Sequence, residues 1–375
     1  MHLNNNLSKK ILAWYDNNRR ALPWRVSKKS TKKLYYRLLS EFMLQQTQVK
    51  TVIPYFKVFL HNFPTLKSLS LSNEAKVLKL WEGLGYYRRA RNLLATSKIL
   101  VNKHNSKLSK NLNDIKKLPG IGDYTANALL AFIHDYPTVA IDGNVKRVFS
   151  RILNKNENKI NFKKLIEINK KNLFKIKRNS DFAEALIEFG ALICKPKEPK
   201  CHNCNVKRMC KYFKADKKFK QTKTSKAKVK NYNIFCYIDK MKNKIALTKK
   251  HNLGFLDKFY LPPIKETNNN KKIKNWNFHS NFKNSISNKK LNINLYYKFS
   301  LKIPSQHRWF SLKKNKAFIP SFTKKIFKQI LKKKYMKKKI AIIGAGIGGL
   351  TLANLLQKNS EFEFMIYEKR ETLNL

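Results

Sequence analysis

From Leu7 to about Leu192 the apolar residues recur every three to four positions, the spacing of successive amphipathic helices. Leu34, Leu38, Leu39 and Phe42 form one such stripe. Leu129, Leu130, Phe132 and Ile133 form another, and Phe182, Leu186, Ile187 and Phe189 a third. Pro54, Pro64, the turn from Pro119 to Gly122 and Pro137 read as the breaks between helices. The pattern predicts a mostly α first domain over residues 1–212. A Lys-rich, nearly apolar-free stretch at 213–230 has the composition of a basic, solvated linker. Beyond it the period shortens, with β-rich runs at Tyr232 to Ile238, Lys244 to Thr248 and Leu291 to Lys298, then a helical run from Ser321 to Leu331. A smaller α+β domain over 231–333 is the expectation. Residues 336–375 read as a truncated Rossmann-like βαβ fragment.

Composition narrows the class. The 375 residues hold 81 Lys and Arg against 22 Asp and Glu, a formal charge of +59. With 42% hydrophobic and 12% aromatic residues, the chain is folded rather than a disordered basic tail. Part of the charge is what an AT-rich genome writes onto any solvated surface. Even so, a charge this large favours a polyanion, and nucleic acid is the first partner to consider. The N-terminus has no apolar targeting core, and no apolar run is long enough to span a bilayer. A cytoplasmic protein with no membrane partner is expected.

Four of the five cysteines, Cys194, Cys201, Cys204 and Cys210, crowd into one short segment. That is a metal site in a reducing compartment rather than a disulfide scaffold. Four thiolates suit either a tetrahedral Zn²⁺ or an iron–sulfur cluster, and the spacing leaves both open. The segment LPGIGDYTANALLAF, Leu118 to Phe132, is a helix, a glycine turn and a second helix. It is either an ordinary helical hairpin or, given the charge, a grip on a DNA phosphate through Gly120, Gly122 and Thr125. Glu41 sits among Leu38, Leu39 and Phe42, where burial would raise its pKa and keep a proton available. The bland alternative is a solvated Glu paired with Arg37 four residues earlier. Asp142 precedes Gly143 and Asn144 at a helix start, where N-capping competes with a catalytic role, and the two are compatible.

These features together resemble the endonuclease III superfamily of DNA glycosylases, through the hairpin, the stretch AIDGNVKRVFSR (Ala140 to Arg151) and the four-cysteine loop. Within that superfamily LPWR (Leu22 to Arg25), SEFMLQQTQV (Ser40 to Val49) and WEGLGYYRRARNL (Trp81 to Leu93) resemble the MutY-type adenine glycosylases. The resemblance runs from about residue 7 to 331. It implies a helix-hairpin-helix glycosylase domain whose four cysteines hold a 4Fe-4S cluster, followed by a Nudix-like domain that reads 8-oxoguanine. The implied substrate is double-stranded DNA carrying adenine opposite 8-oxoguanine or guanine. The implied enzyme is a bacterial, nucleoid-associated monomer.

The resemblance also assigns residues. Glu41 protonates the adenine at N7 and then activates water, while Asp142, with Asn144 nearby, steadies the cationic sugar. Tyr124 stands where bifunctional relatives carry a Schiff-base Lys, which implies a monofunctional enzyme. Gln46, Thr47, Leu84 and Tyr86 match positions that wedge into the base stack and contact 8-oxoguanine, and Trp24, Arg25 and Glu188 match the adenine pocket. Trp14, Trp81, Tyr35 and Tyr36 are expected in the core. The family's F-S-H recognition loop falls at Ile286, Ser287 and Asn288, so only Ser287 is kept. Competing readings are a bifunctional pyrimidine glycosylase and a non-catalytic DNA-binding module.

The tail is of another kind. Gly344, Gly346 and Gly349 have G-x-G-x-x-G spacing and Glu368 ends the second strand, the dinucleotide fingerprint. One βαβ unit cannot complete a cofactor site, so flavin or NAD is not expected. Met336 stands where a flavoprotein would begin, and the tail reads as a neighbouring frame joined by a lost stop and then cut short.

Overall fold

The structure, a computed structural model, describes residue 3, residues 6–215, 229–239, 241–251 and most of 253–367; residues 252, 254–255, 257–258, 268–272, 287–288, 314, 316–317, 335–337 and 358–361 lie outside that description, as do 216–228, 240, 368–375 and four residues at the start. The chain divides into two compact units, 1–223 and 224–375. Of the stretch 213–230 read as linker, the described ends belong to a short helix and to a strand.

The first unit is helical. Its elements run α1 (Leu7–Asn18), α2 (Lys33–Leu44), α3 (Val49–Asn62), α4 (Leu66–Ser70), α5 (Glu74–Leu80), α6 (Arg88–His104), α7 (Leu112–Lys116), α8 (Asp123–His134), α9 (Gly143–Leu153), α10 (Phe162–Ile168), α11 (Lys170–Leu173), α12 (Asn179–Leu192) and α13 (Lys211–Lys214). Pro54 does not separate two helices; it lies inside α3. It sits close enough to the helix start that the main loss is one N–H bond back to residue 50. The helical stripes face inward as their spacing requires. Leu38, Leu39 and Phe42 of α2 are fully buried with Phe56, Phe59 and Trp81. A second core gathers Leu7, Ile11, Phe149, Phe182, Leu186 and Phe189 from α1, α9 and α12.

The second unit holds a mixed sheet in the order β4-β5-β1-β2-β6, built from β1 (Val229–Asp239), β2 (Lys244–Thr248), β4 (Asn277–Ile286), β5 (Lys289–Phe299) and β6 (His307–Ser311), with β3 (Ile264–Glu266) also paired to β1. The β1–β5 pair is parallel and the others are antiparallel. Alternate residues Tyr232, Ile234 and Cys236 pack with Leu291, Ile293 and Leu295 against Ile326, Phe327 and Ile330 of α14 (Ser321–Lys334). Cys236 is therefore a core residue. In the tail, β7 (Lys338–Ile343) pairs in parallel with β8 (Phe362–Tyr367) across α15 (Ile347–Gln357). Gly349 is obligatory there, since a Cβ would meet the Gly344 carbonyl oxygen at 2.1 Å. Glu368 lies outside the described residues. Among the described residues no helix is long and apolar enough to cross a membrane.

Candidate active site

Glu41 projects from the buried face of α2 and is 5% exposed. Its Oε2 has no hydrogen-bond partner among the described residues. Burial pushes its pKa up to about 7; Arg37 pulls against that, while the charges of Glu184 and Asp142 add to it. The bland alternative, a solvated Glu41 paired with Arg37, is not met, since the side chain is buried. Arg37 turns instead to Glu184 of α12, with which its guanidinium forms a close ion pair.

Asp142 caps α9. Its Oδ1 accepts the Val145 N–H at 2.7 Å and its Oδ2 accepts the Asn144 Nδ2–H at 2.7 Å. The cap explains why a carboxylate is held at this point, and its charge still reaches both Glu41 and Tyr124. Tyr124, half-buried on α8, has its phenol pushed well above the ordinary value, first by burial and then by Glu41 and Asp142. The structure thus brings Glu41, Asp142 and Tyr124 together from α2, the α9 cap and α8. Asn144 completes the group, its own Oδ1 accepting from the Arg147 guanidinium at 2.7 Å. Gly190 allows that approach, since a Cβ there would meet the Asn144 Cβ at 2.6 Å.

Beside Glu41 lies a cluster of three guanidiniums and two carboxylates. Glu184 accepts from the Tyr15 hydroxyl at 2.7 Å and pairs with Arg25 at 2.5 Å as well as with Arg37. Glu188 is 1% exposed and pairs with Arg20 at 2.5 Å and Arg25 at 3.2 Å. Burial raises the Glu188 carboxyl, but Arg20 and Arg25 outweigh it and hold it below the usual carboxylate range. A cavity of about 490 Å³ opens over Arg25, Arg37 and Glu184. Glu184, Arg20 and Tyr15 escaped the sequence reading, because partners 147 to 169 residues away leave no spacing signal. Trp24 packs edge-on to Phe56 at 5.3 Å and is 3% exposed. It is a wall of the core rather than an open face of this cavity.

The α2–α3 and α5–α6 turns are joined by Arg89, another residue that sequence reasoning missed. Its guanidinium donates to the carbonyls of Met43 at 2.7 Å, Gln45 at 2.5 Å and Gly85 at 3.2 Å. Burial lowers its pKa to about 10. This clamp presents Gln46 and Tyr86, both in the left-handed backbone region and both exposed. Non-glycine residues held there store strain, a frequent mark of a contact surface. Thr47 is half-buried beside them. Leu84, expected as a wedge, is 6% exposed, because Gly83 and Gly85 at positive φ fold the turn so that it points inward. Thr125, expected at a DNA phosphate, is also buried, its hydroxyl accepting from Gln45 at 3.3 Å. Gly122 caps the N-terminus of α8 with open space around it. Gly120, at positive φ, lies against Asn92. Ser287 lies outside the described residues.

Cys194, Cys201, Cys204 and Cys210 line one cavity under α9 together with Arg151 and Phe189. Arg151 donates to the Cys194 Sγ at 3.3 Å, and Arg147 to the Cys194 carbonyl at 2.7 Å. No three His, Cys, Asp or Glu side chains among the described residues gather closely enough to hold a single metal ion.

A model of the HhH-GPD superfamily of base excision DNA repair proteins matches residues 39–173, and one of an NAD(P)-binding Rossmann-like domain matches residues 342–373. The adenine DNA glycosylase of Buchnera aphidicola subsp. Baizongia pistaciae is 40% identical over 296 residues, which cover 76% of this chain and 83% of that protein. That of Buchnera aphidicola subsp. Schizaphis graminum is 38% identical over 328 residues, 74% of this chain and 90% of its own. The Homo sapiens adenine DNA glycosylase is 34% identical over 208 residues, 54% of this chain and 38% of its own.

Proposed function

This chain belongs to the adenine DNA glycosylases of the HhH-GPD superfamily, and from that premise we propose that it excises adenine opposite 8-oxoguanine or guanine in duplex DNA, with Glu41 as general acid and Asp142 as the stabilising anion. The observation that carries the roles is the Glu41 carboxyl itself: buried, with one unpartnered oxygen, its pKa near 7, and within the field of a second carboxylate. Two carboxyls with unlike environments divide the work of breaking a glycosidic bond. The protonated one hands its proton to the leaving base. The ionised one offsets the positive charge that grows on the sugar. Once the base has left, the Glu41 carboxylate is placed to accept a proton from the attacking water.

Extrusion of the adenine leaves a gap in the stack. The exposed pair Gln46 and Tyr86, an amide and an aromatic ring on strained turns, is suited to fill it and to touch the base opposite. Backbone phosphates are attracted by the net charge and by the free N-terminus of α8 at Gly122. The four cysteines that line one cavity under α9 are the thiolate set that the family resemblance gives to a 4Fe-4S cluster, a set that zinc could also use. Such a cluster would fasten the Cys194–Cys210 loop beneath α9.

Tyr124 supports hydrolysis without strand cleavage, since a phenol whose proton is held this firmly has no amine to form a Schiff base. The test is single-turnover reaction on duplexes with adenine opposite 8-oxoguanine, guanine, cytosine and thymine, each repeated with borohydride. Adenine release should be fastest opposite 8-oxoguanine or guanine, with strands breaking only after hot alkali. A stoichiometric borohydride-trapped adduct, or equal rates on all four duplexes, contradicts the proposal.

A further inference from the structure

Arg37 lies one helical turn before Glu41 on α2, a separation at which a guanidinium and a carboxylate are neighbours on the helix surface. Both side chains are buried, and the structure still leaves them apart. Arg37 is committed to Glu184 of α12 and stacks over the Phe132 ring at 5.0 Å. Glu184 is itself fixed by the Tyr15 hydroxyl at 2.7 Å and the Arg25 Nε at 2.5 Å. We propose that Glu184 is a positioning residue for the general acid: it holds the Arg37 guanidinium on the α12 side and so keeps it from pairing with Glu41. This rests on the reading of Glu41 as the acid.

The charged and titratable groups around Glu41 come from five elements. Arg37 on α2 favours the carboxylate; Glu184 on α12 and Asp142 at the α9 cap disfavour it. Tyr124 on α8 is neutral, and Arg89 from α6 spends its donors on the carbonyls that end α2. Among the described residues Arg37 is the cation whose charge acts on the Glu41 carboxyl. Were it released, Glu41 would gain an opposite charge at contact distance, which lowers a carboxyl pKa by about 1–3 units. Each unit removes about tenfold of the protonated form at a pH above the pKa.

The experiment follows the Glu41 carboxyl carbon by NMR against pH, assigned by its loss in Glu41→Gln, alongside single-turnover excision. Glu184→Gln should move the Glu41 titration down by about 1–3 units and slow excision at pH 8 by about 10- to 1000-fold. Adding Arg37→Met removes the released cation. The Glu41 titration should then return to its wild-type position or higher, and excision should recover at least tenfold over the single variant. The double variant also guards against misfolding, because removing both charges of a buried pair is tolerated where removing one is not. A Glu184→Gln protein whose Glu41 titrates as in wild type, or a double variant whose Glu41 stays in the ordinary carboxylate range, overturns the proposal. Excision surviving in Glu41→Gln would instead remove the acid role and leave the titration result standing.

Discussion

Glu41→Gln is expected to lower single-turnover adenine excision by about 10²–10⁴-fold and, at the same time, to make the protein more stable above neutral pH. The first effect follows from loss of the transferable proton. The second follows from linkage. The Glu41 carboxyl has its pKa raised from the ordinary 4.5 to about 7 in the folded state, so between those values the folded protein binds more protons than the unfolded chain. Stability then falls as pH rises through that window. The gap corresponds to about 3 kcal/mol of destabilisation fully felt above pH 7. Gln has the same shape and no charge to desolvate, and it removes that penalty. Urea unfolding of both proteins at pH 5 and pH 8.5 checks it. The variant's advantage should be small at the lower pH and approach about 3 kcal/mol at the higher. An advantage that does not grow with pH would mean that Glu41 is not a neutral acid in the folded protein.

Asp142→Asn is expected to separate folding from chemistry at a single position. The aspartate caps α9 through the Val145 N–H at 2.7 Å, and asparagine caps a helix about as well. The stability loss should therefore stay under about 1 kcal/mol. Removing the charge takes away the anion proposed to steady the developing cation, and one such electrostatic contact is worth about 10²–10³ in rate. The Asn144 amide, which donates to Asp142 Oδ2 at 2.7 Å, loses that acceptor, because the single carbonyl oxygen of the new side chain serves the cap. Thermal melting and single-turnover excision on the same preparation decide the matter. Melting lowered in step with a modest rate loss would reduce Asp142 to a cap.

The helices and strands were legible because their stripes face one core each. The run Leu38, Leu39 and Phe42 reads as a buried face and is one. Pro54 misled, since a proline near a helix start is tolerated within the helix. Glu41 and Asp142 could be picked out from local chemistry, an acid in an apolar helix and an acid at a cap. Their environment could not. The nearest cation in sequence to Glu41 is Arg37, and helical spacing favours that pair. The fold brings Glu184 from 147 positions away and Arg37 turns to it. Leu84 and Thr125 show the same limit on the recognition side, where a turn's glycines and a neighbouring amide decide which side chain faces out. The four cysteines were the reverse case. Their crowding in sequence is enough to bring them around one cavity.

Protonation of the leaving adenine by Glu41 is tested most directly by the pH dependence of single-turnover excision on a duplex with adenine opposite 8-oxoguanine, from pH 5 to 9. With the Glu41 pKa at about 7, the rate should hold level on the acid side and fall about tenfold per pH unit above neutrality. A rate that stays constant through pH 8.5 would show that no proton held by Glu41 is used in breaking the bond.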